Sequence, residues 1–199
     1  LDGQIAAGDT LLVVADNCTD ETARIARAAG AEVVERRSET LRGKGYALDY
    51  GVTTLSDRKY DVLIIVDADC VVVEGAIDRL ARCSVERLRP VQALSLMTAP
   101  PGAGVGQRIA AFAWLVKNKV RPLGGMRLGV PCQLMGTGMA FPRQIVHAAS
   151  FATGHITEDM LFGTNLARAG TPPVFCPEAI VLSDFPSSKE GARSQRRRW

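Results

Sequence analysis

Aromatic side chains are scarce in this chain, at 6% of its 199 residues. Binding of single-stranded nucleic acid leans on aromatic stacking platforms, so the scarcity argues against that class. A large charge of one sign is missing too. The 24 Lys and Arg stand against 21 Asp and Glu, a formal +3, and bulk charge gives no reason to expect a nucleic-acid partner. The five cysteines, Cys18, Cys70, Cys83, Cys132 and Cys176, include no C-x-x-C pair. That argues against a zinc or disulfide framework and fits reduced thiols in a cytosolic setting. No apolar run approaches the ~18 residues of a membrane span; the longest cover 11–15, 62–66 and 109–116. No internal repeat or low-complexity tract is present. No secretory leader pattern opens the chain, and it starts with Leu1 rather than Met, so the expectation is a piece of a longer protein.

What is there is an ordinary globular balance, with 47% hydrophobic and 23% charged residues. The length suits one domain. Residues 10–15 form a branched apolar run that reads as a strand buried on both faces. A polar turn at 16–20 follows, in which Thr19 or Asp20 can cap a helix ending before Gly30. Strands are expected at 31–35, 61–66 and 91–97, and helices at 46–52 and 74–83. Residues 174–182 read as a strand pair around Pro177. Strand and helix alternate through the first half, the pattern of a wound, mostly parallel α/β sheet. Ligands in such sheets bind beyond the carboxyl ends of the strands. Asp16 and Asp67 each follow such an end, which places both on one rim. The second half contains an amphipathic helix at 107–120, a Gly-rich turn at 135–141, a helix after Glu158-Asp159, and a strongly basic end.

Several constellations can carry chemistry, and each has a plainer structural role as well. Asp67-Ala68-Asp69 ends a five-residue apolar strand. Its paired carboxylates can hold a hard divalent cation that shares its other positions with substrate phosphates; they can equally form a solvated turn. Asp16, with Asn17 and Asp20, can read a nucleotide base or cap a helix. Lys44 lies in the Gly-flanked loop Arg42-Gly43-Lys44-Gly45, where glycine lets a phosphate approach the backbone closely. Glu158 and Asp159 suit a helix N-terminus, where the dipole favours carboxylates, and either could serve as a general base. Gln195, Arg198 and Trp199 supply an amide, a guanidinium and an indole, a set suited to a diphosphate or a sugar.

In order along the chain, these are a strand-end Asp, a Lys loop, D-A-D, G-T-G, T-E-D and Q-R-R-R-W. The series resembles the family 2 glycosyltransferases, and in particular their processive, membrane-associated branch (cellulose, chitin, hyaluronan and poly-N-acetylglucosamine synthase-like enzymes). It covers nearly the whole chain, and Q-x-x-R-W is its most specific element. The resemblance implies the GT-A fold, with a nucleotide-binding half at 1–90 and an acceptor-binding half at 91–199. It implies an inverting transfer of a sugar from a nucleotide donor, expected to be UDP-linked, to a hydroxyl of a saccharide or lipid-linked acceptor. By the same resemblance, Asp16, Lys44 and Asp67 would bind the nucleotide, and Asp69 with Asp67 would hold Mg²⁺ or Mn²⁺. Asp159 would be the catalytic base. Gly136, Thr137, Gly138, Glu158, Gln195, Arg198 and Trp199 would serve the acceptor and diphosphate.

Members of the family begin with a strand and a Pro-x-x-Asn-Glu-like turn that this chain does not contain, so the sheet is expected to lack its first strand. Membrane attachment would come from segments outside this chain, with the catalytic face in the cytoplasm. Two other readings remain open from the residues. One is a nucleotidyltransferase that makes a sugar nucleotide, which would leave the Q-R-R-R-W ending without a role. The other is a non-catalytic saccharide- or membrane-binding module, which would tolerate loss of Asp69 or Asp159.

Overall fold

The structure is a computed structural model, and it describes residues 3–148, 150–155 and 157–185. In chain order the elements are β1 (Leu12–Asp16), α1 (Thr22–Ala28), β2 (Glu32–Arg36), α2 (Lys44–Thr54), β3 (Val62–Ile65), β4 (Cys70–Val72), α3 (Ala76–Arg87), β5 (Val91–Thr98), α4 (Val105–Leu115), a π-helical turn (Val116–Val120), α5 (Arg121–Arg127), β6 (Met139–Pro142), α6 (Arg143–Ala148), α7 (Glu158–Arg168) and β7 (Val174–Asp184). They fall into two compact units. The first comprises Leu1–Asp61 with Arg143–Glu158, and the second Val62–Pro142 with Asp159–Trp199.

In the first unit β1 and β2 pair in parallel, with Asp16 opposite Arg36. The crossover is α1, whose first turn is held by Asp20: its Oδ1 accepts the Thr22 N–H at 3.1 Å. The chain turns out of that helix at Gly30, where φ is +85°, a left-handed value that glycine adopts without a Cβ penalty. Helix α2 lies close against the strands. A Cβ on Gly51 would come within 2.9 Å of Val14 Cγ2. At the other end of α2, a Cβ on Gly45 would meet the carbonyl oxygens of Thr153 and Phe151 at 2.5 and 2.7 Å.

The second unit is built on a five-stranded sheet in the order β3-β6-β5-β7-β4. Strand β5 is its axis and is buried along nearly all of its length, as a strand covered on both faces must be. Val91 and Ala93 pack with Ala76 and Leu80 of α3. Leu94 and Leu96 gather on the opposite side with Leu123, Cys132 and Phe175. The α/β class is the expected one, but in place of one mostly parallel sheet there are a parallel β1–β2 pair and a five-stranded sheet that is mostly antiparallel. The β1–β2 and β5–β7 pairs are parallel, whereas β3–β6, β5–β6 and β4–β7 are antiparallel.

Residues 174–184 form one strand rather than the expected pair. The register with β5 jumps between Ala93 and Leu94, so that Cys176 and then Ile180 are their partners. Pro177 lies in that jump. It has no N–H to give a ladder, and a bulge accommodates it without ending the strand. The amphipathic helix also extends past residue 120, with the π-helical turn Val116–Val120 lying just before Pro122, where the regular α-helical ladder is interrupted. Strand β4 and helix α6 carry too few residues to show a periodic pattern, and the sequence gives no sign of them.

Candidate functional site

In the first unit, β1 delivers Asp16 to the carboxyl end of the sheet. Its Oδ1 accepts a hydrogen bond from Arg36 Nη1 at 2.6 Å, and both side chains are largely buried. Arg36 also donates from Nη2 to the Leu41 carbonyl at 2.7 Å, and its guanidinium lies 5.9 Å from the Tyr46 ring centroid. One guanidinium thus ties the end of β1 to the loop before α2 and to the helix itself. The next residue, Asn17, has φ +56°, a conformation that Asn tolerates better than most residues. Its Oδ1 accepts the Ser38 N–H at 2.9 Å. Lys44 is the first residue of α2 and half-buried, so the expected Lys loop ends at Gly43, two residues earlier than the sequence suggested. Gly43, just before it, has φ +121°, which only glycine enters freely.

In the second unit, β3 ends at Ile65 and the chain turns through Asp67-Ala68-Asp69 into β4. The turn is closed by the Cys70 N–H on the Asp67 carbonyl at 3.1 Å. Ligand atoms of Asp67, Asp69 and Cys70 lie within 4.8 Å of one another. The Asp67 N–H donates to Thr137 Oγ at 3.0 Å. Cys70 Sγ lies 3.3 Å from that same hydroxyl and 3.1 Å from Ser183 Oγ. The sulfur also lies 3.7 Å from Asp69 Oδ1, and the two carboxylates are the hard oxygen donors of the cluster. Such a pair fits Mg²⁺ or Mn²⁺.

The Gly136-Thr137-Gly138 turn is buried. Gly138 has φ +64°, and a Cβ there would stand 2.8 Å from Ala93 Cβ and 3.0 Å from Val181 Cγ2. Gln92, fully buried in β5, holds the turn from beneath. Its Nε2 donates to the Thr137 carbonyl at 2.9 Å, and its Oε1 accepts the Met135 N–H at 2.8 Å. Leu134, also fully buried, packs at Gly163 of α7, where an added Cβ would be 3.1 Å from Leu134 Cγ.

Glu158 and Asp159 are the first two residues of α7, and Asp159 Oδ1 accepts the Met160 N–H at 2.8 Å. Lys117, on the π-helical turn, has its pKa lowered by burial and by the Arg121 charge, while the Asp159 carboxylate acts in the opposite direction. Its Nζ lies 4.7 Å from the Trp114 ring centroid. Asp159 therefore sits within the electrostatic reach of a lysine.

Asp67, Asp69 and Thr137 thus come together in the second unit. Asp16 is joined through Arg36 to the loop that leads to Lys44 in the first. Gln195, Arg198 and Trp199 lie outside the described residues. Sequence reasoning passed over Arg36, Gln92 and Ser183. Gln92 was the one with a signal, as a lone amide in a largely apolar strand. Arg36 and Ser183 meet their partners only through strand register and the return of β7.

A mixed α/β fold with a D-x-D turn at a strand end matches the architecture of the GT-A glycosyltransferases. The model of the family described as glycosyltransferase like family 2 matches residues 3–199, and the chain belongs to that family. No curated protein sequence matches it.

Solved structures share the fold. The mannosyltransferase PcManGT from Pyrobaculum calidifontis, in complex with GDP-Man and Mn²⁺, is 19% identical with a TM-score of 0.62, over 95% of this chain and 51% of that one. Glucosyl-3-phosphoglycerate synthase from Mycobacterium tuberculosis, in complex with UDP, is 21% identical with a TM-score of 0.56, over 91% of this chain and 61% of that one. GalNAc-T7 with UDP, GalNAc and Mn²⁺ is 17% identical with a TM-score of 0.56, over 88% of this chain and 38% of that one. The chain spans less than two thirds of the length of each. Among the described residues no helix is long and apolar enough to cross a membrane.

Proposed function

We propose that this chain is the catalytic part of an inverting, metal-dependent glycosyltransferase. It moves a sugar from a nucleotide donor, UDP-linked in our reading, to a hydroxyl of a saccharide or lipid-linked acceptor, in polysaccharide or glycolipid synthesis. The observation that carries this reading is the Asp67–Asp69 pair, held at the end of β3 by Thr137 in a family 2 chain. Bound nucleotide and Mn²⁺ in structures of the same fold support it.

Asp67 and Asp69 would hold the Mg²⁺ or Mn²⁺, which when bound supplies positive charge against the departing diphosphate. Asp16 and Lys44 serve the nucleotide. Gly136, Thr137, Gly138, Glu158, Gln195, Arg198 and Trp199 serve the acceptor and diphosphate. Asp159 takes the proton from the acceptor hydroxyl. That oxygen attacks the anomeric carbon from the face opposite the nucleotide, so an α-linked donor yields a β-linkage. Holding the two sugars in line supplies much of the acceleration. The parent protein works at the cytoplasmic face of a membrane, attached through segments outside this chain.

The test is a melting curve of the chain with UDP, Mn²⁺ or both. A rise that needs both ligands, and that Asp69→Asn abolishes, is the expected result, because a ligand stabilises only the state it binds. A clear transition that neither ligand moves overturns the proposal.

A further inference from the structure

The 71 residues from Arg87 to Thr157 contain no Asp and no Glu, yet they carry eight Lys and Arg. The middle of this stretch is a continuous helical segment. Helix α4, the π-helical turn and α5 follow one another without a break, and the junction residues Leu115, Val116, Val120 and Arg121 all keep right-handed helical backbone angles. One side is anchored to the second unit. Asn118 is buried and its Nδ2 donates to the Ser95 carbonyl of β5 at 2.9 Å, and Pro122 of α5 is buried as well.

The outer side is apolar. Val105, Ile109, Phe112, Val116 and Val120 follow one another at spacings of four, three, four and four, which is one helical face. All five are between 41% and 73% exposed. Leu128 and Val130, just beyond α5, prolong the apolar surface and are more than half exposed. Arg108, Lys119 and Arg127 are exposed on the same segment. A contiguous apolar stripe in water is costly and marks a surface with a partner.

We infer that the outer face of the α4–α5 segment docks in the plane of an anionic lipid surface, with its apolar stripe in the acyl boundary and its cations on the headgroups. Charge complementarity decides the occupant. In a two-fold pairing with a second copy, the same patch would meet itself. Arg108, Lys119 and Arg127 would then face one another with no carboxylate in the stretch to neutralise them. A negatively charged bilayer supplies both an apolar layer and the missing anions. Among the described residues no helix qualifies as a span, so the segment lies on the surface rather than crossing it. This contact is separate from any attachment through segments outside the chain.

The experiment is co-sedimentation of the 199-residue chain with vesicles of phosphatidylcholine alone and with about 30% phosphatidylglycerol. Binding to the anionic vesicles should be at least about tenfold stronger and should collapse near 0.5 M salt, where screening reaches about 4 Å. Ile109→Glu with Phe112→Glu should abolish binding, and Lys119→Glu with Arg127→Glu should weaken it at least about tenfold. All four positions are exposed, so both variants should melt as the parent does. No binding to anionic vesicles overturns the inference. So does binding that survives the Ile109 and Phe112 changes, or a face whose alteration splits a dimer without touching vesicle binding. No catalytic readout enters, so failure here leaves the transferase reading untouched.

Discussion

Thr137 Oγ accepts the backbone N–H of Asp67 at 3.0 Å across seventy residues of sequence. One hydroxyl therefore couples the D-A-D turn to the buried Gly-Thr-Gly turn, and Gln92 fixes the latter from inside the sheet. The carboxylates are held by a scaffold that neither turn contains alone.

Thr137→Val removes the acceptor and leaves the Asp67 N–H without a partner. The expected cost is about 1–3 kcal/mol of stability, seen as a lower melting temperature. Mn²⁺-dependent UDP binding should weaken about tenfold, as a loosened turn holds its ligands less well. Thr137→Ser keeps the hydroxyl and should recover most of both. Titration calorimetry with Mn²⁺ and UDP reads the second effect separately from folding. Equal binding in all three proteins would remove Thr137 from the site's support.

Gly138→Ala tests the turn from the other side. The new methyl would stand 2.8 Å from Ala93 Cβ at φ +64°, so packing and backbone strain both oppose it. We expect a loss of about 2–4 kcal/mol, measured by urea unfolding. Gly102→Ala, also at positive φ but with open space around it, should cost only the backbone component, about 1–2 kcal/mol.

Asp159→Asn should lower the rate of sugar transfer by about 10²–10⁴, the usual contribution of a positioned base. UDP binding should stay unchanged, because the carboxylate is assigned to the acceptor and not to the donor. A parallel fall in donor binding and turnover would reassign Asp159 to the nucleotide.

Stability should fall in alkaline solution for an identifiable reason. Burial pushes the Cys132 thiol up to about 12, and burial raises Cys176 to about 11. Once unfolded, both thiols ionise from about pH 8.5. Between those values the folded chain binds the extra protons, so the free energy of unfolding drops as pH rises. Each group contributes up to about 1.4 kcal/mol per pH unit. Urea midpoints measured from about pH 8 to 10.5 should decline, and Cys132→Ala should make the decline shallower. An identical slope in the variant would exclude Cys132 as a source.

Apolar runs by themselves determined β1, β3 and β5, because a strand covered on both faces needs consecutive branched or apolar residues, whereas β2 carries only the Val33-Val34 pair among charged residues. Polar turns and glycines at their ends determined where α1 and α7 begin or stop, through local capping and left-handed backbone. The D-A-D turn was legible for the same reason, since a strand end is a local property. The sequence could not show that Thr137 reaches Asp67, that Arg36 faces Asp16, or that Ser183 meets Cys70. Strand register and the return of distant strands decide these contacts, and neither leaves a local pattern. Tertiary structure also decided which way Gln92 points, and it made one bulged strand of the residues around Pro177. The stripe from Val105 to Val120 has helical spacing, but spacing alone does not say which face of a helix is covered. Packing on the sheet covered the side with Asn118, which bonds Ser95 of β5, and left the apolar stripe in water.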